Sequence, residues 1–140
     1  MTKYQIVYRG TISHAFGGGI ACGEYILALD RLGVDVKIDN GYYYNFSKLE
    51  RQKALRLSFL LNKPYAADKP KILVYDSPPQ GIDTKKERER FDYLILNTVW
   101  ETTKIPSQWF PIINEFDAVC VPSLHNIAAL KNSGVKIPAS

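Results

Sequence analysis

Strand-like and helix-like segments alternate from one end of this 140-residue chain to the other. Five short runs have the β-branched, aromatic and aliphatic content of buried strands, and they cover residues 4–9, 34–38, 71–75, 93–97 and 118–121. A parallel sheet covered on both faces is the most economical way to pack strands that alternate with helices. The sequence therefore predicts an α/β fold, with one domain over residues 1–140 that forms a single Rossmann-like open parallel sheet with helices on both faces. Right-handed crossovers would place the switch point of this sheet between the first and fourth strands.

The charge of the chain gives only a weak indication of its partners. The formal net charge is +4 at pH 7, which slightly favours an anionic partner. The densest basic stretch, residues 85–90, is interleaved with glutamates and begins at a capping-box spacing of Thr84 and Glu87. Such interleaving is typical of a short helix with a solvated face, so we expect no nucleic-acid partner.

The two cysteines, Cys22 and Cys120, lie in apolar surroundings without a C-x-x-C spacing or a nearby histidine pair. This pattern predicts reduced core thiols rather than a disulfide framework or a zinc site, and no Asp-x-Asp motif suggests another metal site. Neither a leader segment nor an apolar run near the ~20 residues of a membrane span is present. We therefore expect a cytoplasmic protein, while attachment to a membrane surface stays open.

A basic amphipathic helix is predicted over residues 47–61. Ser47 and Glu50 have the spacing of a capping box. Leucines at positions 57, 60 and 61 form the predicted inner face, and most basic residues lie outside it. Such a helix can rest on an anionic membrane, although an ordinary surface helix produces the same pattern more often.

Three consecutive glycines, Gly17, Gly18 and Gly19, follow the first strand and precede a helix predicted over residues 20–32. Without side chains, they allow close backbone approaches and leave the N–H groups of the helix start open to an anion or a sugar hydroxyl. The spacing is neither a dinucleotide fingerprint nor a P-loop. A tight turn without a ligand therefore stays an alternative. His14, just before the glycines, could reach a bound ligand.

A second group of polar residues follows later strands. Trp100, Glu101, Thr102 and Thr103 come just after the fourth strand, and Asp76 ends the third. Ligands of open α/β sheets bind at the carboxyl ends of strands. The predicted switch point would bring the glycine turn and residues 100–103 into one crevice. A solvated glutamate beside a core tryptophan is the alternative interpretation.

Three motifs carry a resemblance to a known family. They are WETTKIPSQW at 100–109, FDAVCVPS at 116–123, and a final helix that leads into NSGVKIP at 132–138. Together with the glycine turn, they resemble the N-terminal half of a GT-B glycosyltransferase of family 4. The resemblance spans nearly the whole chain, and residues 100–138 are its specific part.

The resemblance implies retaining transfer of a sugar from a UDP- or GDP-sugar to a glycan, lipid or other acceptor. It implies that Gly17–Gly19 approach the donor phosphates and that Trp100 and Glu101 line the acceptor side. Many relatives have a histidine in this crevice, and Glu101 is the candidate catalytic replacement here. We expect no cofactor in this domain, a C-terminal donor-binding domain as its partner, and little or no transfer by the chain alone. A stand-alone, non-catalytic binding module is the main alternative, and a flavodoxin-like or receiver-like nucleotide-binding domain is another.

Overall fold

The computed structural model describes residues 3–13, 17–42, 44–98, 106–121, 124–132 and 134–140, and it shows an α/β fold. A single five-stranded parallel sheet has the strand order β2-β1-β3-β4-β5. The strands are β1 (Gln5–Gly10), β2 (Val36–Ile38), β3 (Lys71–Asp76), β4 (Tyr93–Asn97) and β5 (Ala118–Cys120). The helices are α1 (Gly17–Arg31), α2 (Arg51–Asn62), α3 (Thr84–Glu87), α4 (Trp109–Ile113) and α5 (Leu124–Asn132). The predicted Rossmann-like fold class is confirmed.

The predicted position of the switch point is wrong. The chain passes from β1 to β2 on one side and then returns to place β3 on the other side of β1. The reversal therefore falls between β1 and β3, and β4 is the neighbour of β3 rather than of β1. The strand pattern fixes which segments are strands, but it does not say on which side of β1 the third strand pairs.

The chain forms two compact units, residues 1–73 and 74–140, whose boundary falls within β3. In the first unit, β1 and β2 pair in parallel with Ile6 opposite Val36 and Tyr8 opposite Ile38. Apolar side chains of β1, β2, α1 and α2 form its core, among them Val7, Ile26, Ile38, Leu57 and Leu60. Burial of this apolar surface is the main force that holds the two helices on these strands.

In the second unit, β4 and β5 pair in parallel with Ile95 opposite Ala118. The core includes buried side chains at Leu94, Leu96, Phe116, Val119 and Leu130. Asp117, part of the FDAVCVPS motif, accepts a hydrogen bond from the backbone N–H of Leu94 (2.8 Å) and pairs with Arg88 at 3.0 Å. The aspartate of this motif thus aligns the start of β5 with β4.

The glycines that follow α1 and α5 end these helices in the expected way, but the N-cap residues of α2 and α3 differ from the predicted ones. Gly33 has φ +83° just after α1, and Gly134 has φ +93° after α5, as their positions predict. The predicted caps are wrong. Ser47 lies in a turn before α2, whose N-cap residue is Glu50 without a side-chain bond, and the carboxylate of Asp83, not Thr84, caps α3 by accepting from the N–H of Lys86.

No helix within the described ranges is long and apolar enough to cross a membrane. Both cysteines are free thiols, with Cys22 buried and Cys120 half-buried.

Candidate functional site

The start of α1 lies against the segment that follows the carboxyl end of β1. Ile12 and Ser13, which follow the strand, are buried. Gly17 begins the helix, so the three glycines form its first positions rather than a separate turn before residue 20. A Cβ added at Gly19 would lie 2.8 Å from both the backbone nitrogen and oxygen of Ser13. The predicted close approach is therefore real at Gly19, and only glycine fits there.

The chemistry of this helix start suits a negatively charged group. The first N–H groups of an α-helix have no partner within the helix, and the aligned peptide dipoles add partial positive charge there. The first turn of α1 contains no acidic residue to offset that charge. His14, which was predicted to contribute here, lies outside the residues that the structure describes.

The segment after β2 folds beside the segment after β1. The backbone N–H of Asn45 donates to the carbonyl of Ile12 at 2.9 Å, and Ile12 and Tyr44 form an isolated parallel bridge. Two loops at the carboxyl ends of adjacent strands are thus joined backbone to backbone.

A buried ion pair lies below these loops. The Nε of Arg9, near the end of β1, donates to Asp39, just after β2, at 2.8 Å, and both side chains are almost fully buried. The hydroxyl of Tyr65 donates to the same carboxylate, and the hydroxyl of Tyr44 donates to the Asp39 carbonyl. The guanidinium of Arg9 also lies 5.1 Å from the centre of the half-exposed Tyr42 ring. Burial raises the pKa of Tyr44, which keeps its hydroxyl protonated and able to donate.

Lys37, in β2, is a second buried charge. Its Nζ donates to the carbonyls of Ile38 (3.0 Å) and Leu61 (2.6 Å) and to the Oδ1 of Asn40 (3.3 Å). The same ammonium lies 4.7 Å from the centre of the Tyr65 ring. Burial lowers the pKa of Lys37, and nearby Asp39 opposes that shift. With all three ammonium protons bound, Lys37 ties β2 to the end of α2 rather than to a ligand.

The second unit presents a different set of groups at the carboxyl end of its strands. Asp76 ends β3 and is half-buried. Thr98 follows β4, and its backbone N–H extends the pairing by donating to the Cys120 carbonyl at 3.1 Å. Its side-chain hydroxyl is buried and finds no hydrogen-bond partner among the described residues. The indole N–H of Trp109, at the start of α4, is also buried and unpaired within that set.

The residues predicted to carry the chemistry after β4 lie outside the described residues. They are Trp100, Glu101, Thr102 and Thr103. Their predicted proximity to Gly17–Gly19 stays a prediction. Thr98 is the described residue closest to them in sequence, and the sequence pattern does not single it out.

A concave surface at the opposite ends of β1 and β2 was not predicted. Its volume is about 670 Å³, and its polar lining includes Gln5, Asp30, Asp35, Arg56, Lys63 and Lys69. The carboxylate of Asp35 already pairs with the ammonium groups of Lys63 and Lys69. Because these charges bind one another, this cavity has no group reserved for a ligand, and the carboxyl ends of the strands remain the better candidate site.

Sequence reasoning also missed the pair of Arg9 and Asp39. Charged residues at the end of one buried strand and just after the next are a signal for such a pair, once parallel pairing of the two strands is assumed. The described residues contain no group of three or more His, Cys, Asp or Glu side chains placed to hold a metal ion.

Comparisons with known proteins do not assign a family. No protein-family model matches the chain, and no curated protein matches it.

Proposed function

We propose that this chain is the N-terminal, acceptor-binding domain of a retaining glycosyltransferase that transfers a sugar from a UDP- or GDP-sugar to a glycan, lipid or other acceptor. The observation that carries the proposal is the start of α1, where Gly19 packs against the backbone of Ser13 at the carboxyl end of β1. The Rossmann-like sheet and the resemblance of residues 100–138 to family 4 support it.

The first turn of α1 would bind the negatively charged diphosphate of the donor. Its glycines leave backbone N–H groups without side-chain obstruction, and no acid competes for them. N–H groups fixed in this way offset charge on a leaving diphosphate without reorganising during the reaction. His14, just before the helix, would contribute a further polar contact.

The segment after β4 would hold the acceptor. Trp100 would pack on an apolar face of a sugar, and Thr102 and Thr103 would bind its hydroxyls. Glu101 would be the catalytic residue beside the reacting sugar. The hydroxyl of Thr98, which has no partner among the described residues, adds one more group with hydrogen-bonding capacity in this segment. Asp76, at the end of β3, would bind a polar group of the same class of ligand.

Under this proposal the domain needs a partner and no cofactor of its own. A C-terminal domain would hold most of the nucleotide sugar, and positioning of the two substrates would supply much of the rate. Isolated, this domain should bind substrate groups but turn over little or no nucleotide sugar. Robust transfer by the purified 140-residue chain would contradict that division of labour.

Titration of the ¹⁵N-labelled chain with UDP-glucose, GDP-mannose and simple disaccharide glycosides tests the proposal by NMR. The nucleotide sugars should shift the amide signals of Gly17–Gly19, and an acceptor should shift the indole signal of Trp100. Glu101→Gln should leave the folded spectrum unchanged and alter the acceptor-induced shifts. As a matched control, Glu89→Gln removes a carboxylate near α3 and should alter neither response.

The alternative, a non-catalytic binding module with the same fold, predicts a different result. A spectrum that is silent to both nucleotide sugars and glycosides, in a chain that remains folded, would favour it and contradict the transferase proposal. Shifts confined to residues other than the α1 start and the segment after β4 would contradict the proposed site.

A further inference from the structure

Helix α2 carries apolar side chains on two opposite faces. Leu57 and Leu60 are buried against the core of the first unit. Leu55 and Phe59 are 61% and 55% exposed, respectively. They lie four residues apart and therefore occupy the same outer stripe of the helix. The sequence pattern predicts the inner face of this helix but not the second, exposed one.

The outer stripe of α2 is basic. The helix contains three basic residues and no acidic one. Arg51 lies one turn before Leu55 on the stripe, is exposed, and has no ion pair within the described part of the chain. The guanidinium of Arg56 lies 4.6 Å from the centre of the Phe59 ring and also binds both oxygens of Asp30. The stripe thus combines two exposed apolar side chains with two arginines. Arg56 is paired with Asp30, and Arg51 has no ion pair among the described residues.

We propose that the outer stripe of α2, formed by Arg51, Leu55, Arg56 and Phe59, docks on the surface of a lipid bilayer that contains anionic lipids. A helix with this arrangement lies in the plane of the interface, with Leu and Phe at the acyl boundary and Arg at the headgroups. The Arg56 guanidinium lies over the Phe59 ring, and its flexible aliphatic stem lets the charge reach the headgroup layer while the ring inserts. The net charge of +4 for the whole chain favours approach to such a surface.

A second copy of the chain fits this stripe less well. In a two-fold contact the outer stripe of α2 would face the same stripe of the second copy. The positive charges of the two stripes would then repel each other. Two exposed apolar side chains also fall short of the roughly 800 Å² that each partner contributes to a typical stable interface. The proposal does not rest on the proposed transferase function, since it involves neither the α1 start nor the segment after β4.

Flotation with extruded vesicles tests the proposal on the purified chain. One set of vesicles contains phosphatidylcholine alone, and the other contains about one third phosphatidylglycerol. We expect the chain to float with the second set and much less with the first. Leu55→Ser/Phe59→Ser should lower the bound fraction about tenfold or more, because both inserted side chains are lost. Arg51→Ala should weaken binding and reduce its dependence on salt.

Leu32→Ser is the matched control. Leu32 lies just past α1 and is 79% exposed, so its replacement removes an exposed leucine without touching the stripe. This variant should bind like the unchanged chain, and circular dichroism should show all variants folded. The proposal is overturned if the unchanged chain does not float with anionic vesicles, or if Leu55→Ser/Phe59→Ser binds as well as Leu32→Ser. Sedimentation showing a dimer that only Leu55→Ser/Phe59→Ser dissociates, without a change in flotation, would assign the stripe to a second copy and also overturn it.

Discussion

The two units of this protein treat buried polar groups differently at the ends of their strands. In and just after β1 and β2, the charges of Arg9, Lys37 and Asp39 are buried and bound to other groups of the same unit. After β4, the hydroxyl of Thr98 is equally buried but unpaired within the described residues. A network whose charged groups bind one another serves structure, because those groups are already engaged within the fold. An unsaturated group at a ligand-binding edge is one that a substrate can complete.

The largest effect should come from breaking this network of charged groups. Arg9→Met leaves the carboxylate of Asp39 buried without its cation, and we expect a loss of about 3–5 kcal/mol in the free energy of unfolding. Urea denaturation measures it. Arg9→Met/Asp39→Asn should recover part of the loss, because the uncompensated charge is removed as well. A single-variant loss below about 1 kcal/mol would show that the pair is not structural.

Gly19→Ala tests the close approach at the α1 start. The new Cβ would lie 2.8 Å from two backbone atoms of Ser13, and such overpacking costs about 1–3 kcal/mol. Gly23→Ala is the control in the same helix, since its Cβ would meet methyl groups of Ile12 at 3.4 Å and Leu57 at 4.0 Å, which are ordinary van der Waals distances. Its improved helix propensity should leave stability unchanged or slightly higher. Equal thermal midpoints for the two variants would contradict the close approach.

Two equally buried threonines allow the stability contribution of a hydrogen-bonded hydroxyl to be compared with that of a hydroxyl that has no partner among the described residues. Thr84 and Thr98 are both 5% exposed, and among the described residues the Thr84 hydroxyl binds Glu115 at 2.9 Å whereas the Thr98 hydroxyl has no partner. Thr84→Val should therefore cost about 1–2 kcal/mol, whereas Thr98→Val should be neutral or stabilising by up to about 1 kcal/mol. Urea denaturation of both variants gives the difference.

The same Thr98→Val variant sharpens the functional half of the comparison. If a substrate completes the hydroxyl, this variant should weaken the acceptor-induced NMR shifts although its stability is intact. A destabilised Thr98→Val protein with unchanged ligand response would mean that the hydroxyl is part of the fold.

The smallest effect concerns an ion pair on the surface. The hydrogen bond from Arg56 holds the pKa of Asp30 below its ordinary value of 3.8. A lowered carboxyl pKa adds stability above about pH 4, and that stability is lost as the pH falls through the lowered value. Asp30→Asn should therefore cost up to roughly 0.5 kcal/mol at neutral pH and progressively less in acid, because the guanidinium side of the pair is half-exposed. Urea denaturation across the acid range checks the slope.

The sequence predicts the elements of this fold better than their arrangement. The bounds of β4 agree at both ends, and the other strands agree within about two residues, because short apolar runs between polar loops have few other structures available. The predicted capping boxes at Ser47 and Thr84 are wrong, because the N-cap of α2 is Glu50, three residues after Ser47, and Asp83 precedes Thr84 as the N-cap of α3. The spacing of two residues alone therefore does not locate the first residue of a helix.

The candidate site was predictable in kind and not in detail. The three consecutive glycines at the start of α1 can be recognised from the sequence. The structure explains why position 19 requires glycine, since a Cβ there would lie too close to the backbone of Ser13. Arg9 and Asp39 are thirty positions apart in the chain. Their pairing depends on the register between β1 and β2, which the sequence pattern does not give. The lack of a partner for the Thr98 hydroxyl among the described residues depends on the packing around it, and no sequence motif carries that information.

The place of β1 between β2 and β3 has a consequence for synthesis on the ribosome. β2 follows β1 closely and can pair with it early, but the other edge of β1 stays open until residues 71–76 have been made. An open strand edge offers its N–H and C=O groups to any other extended chain nearby. The nascent chain therefore passes through a stage in which its first strand is half-paired and vulnerable to association, and that stage ends only when β3 arrives.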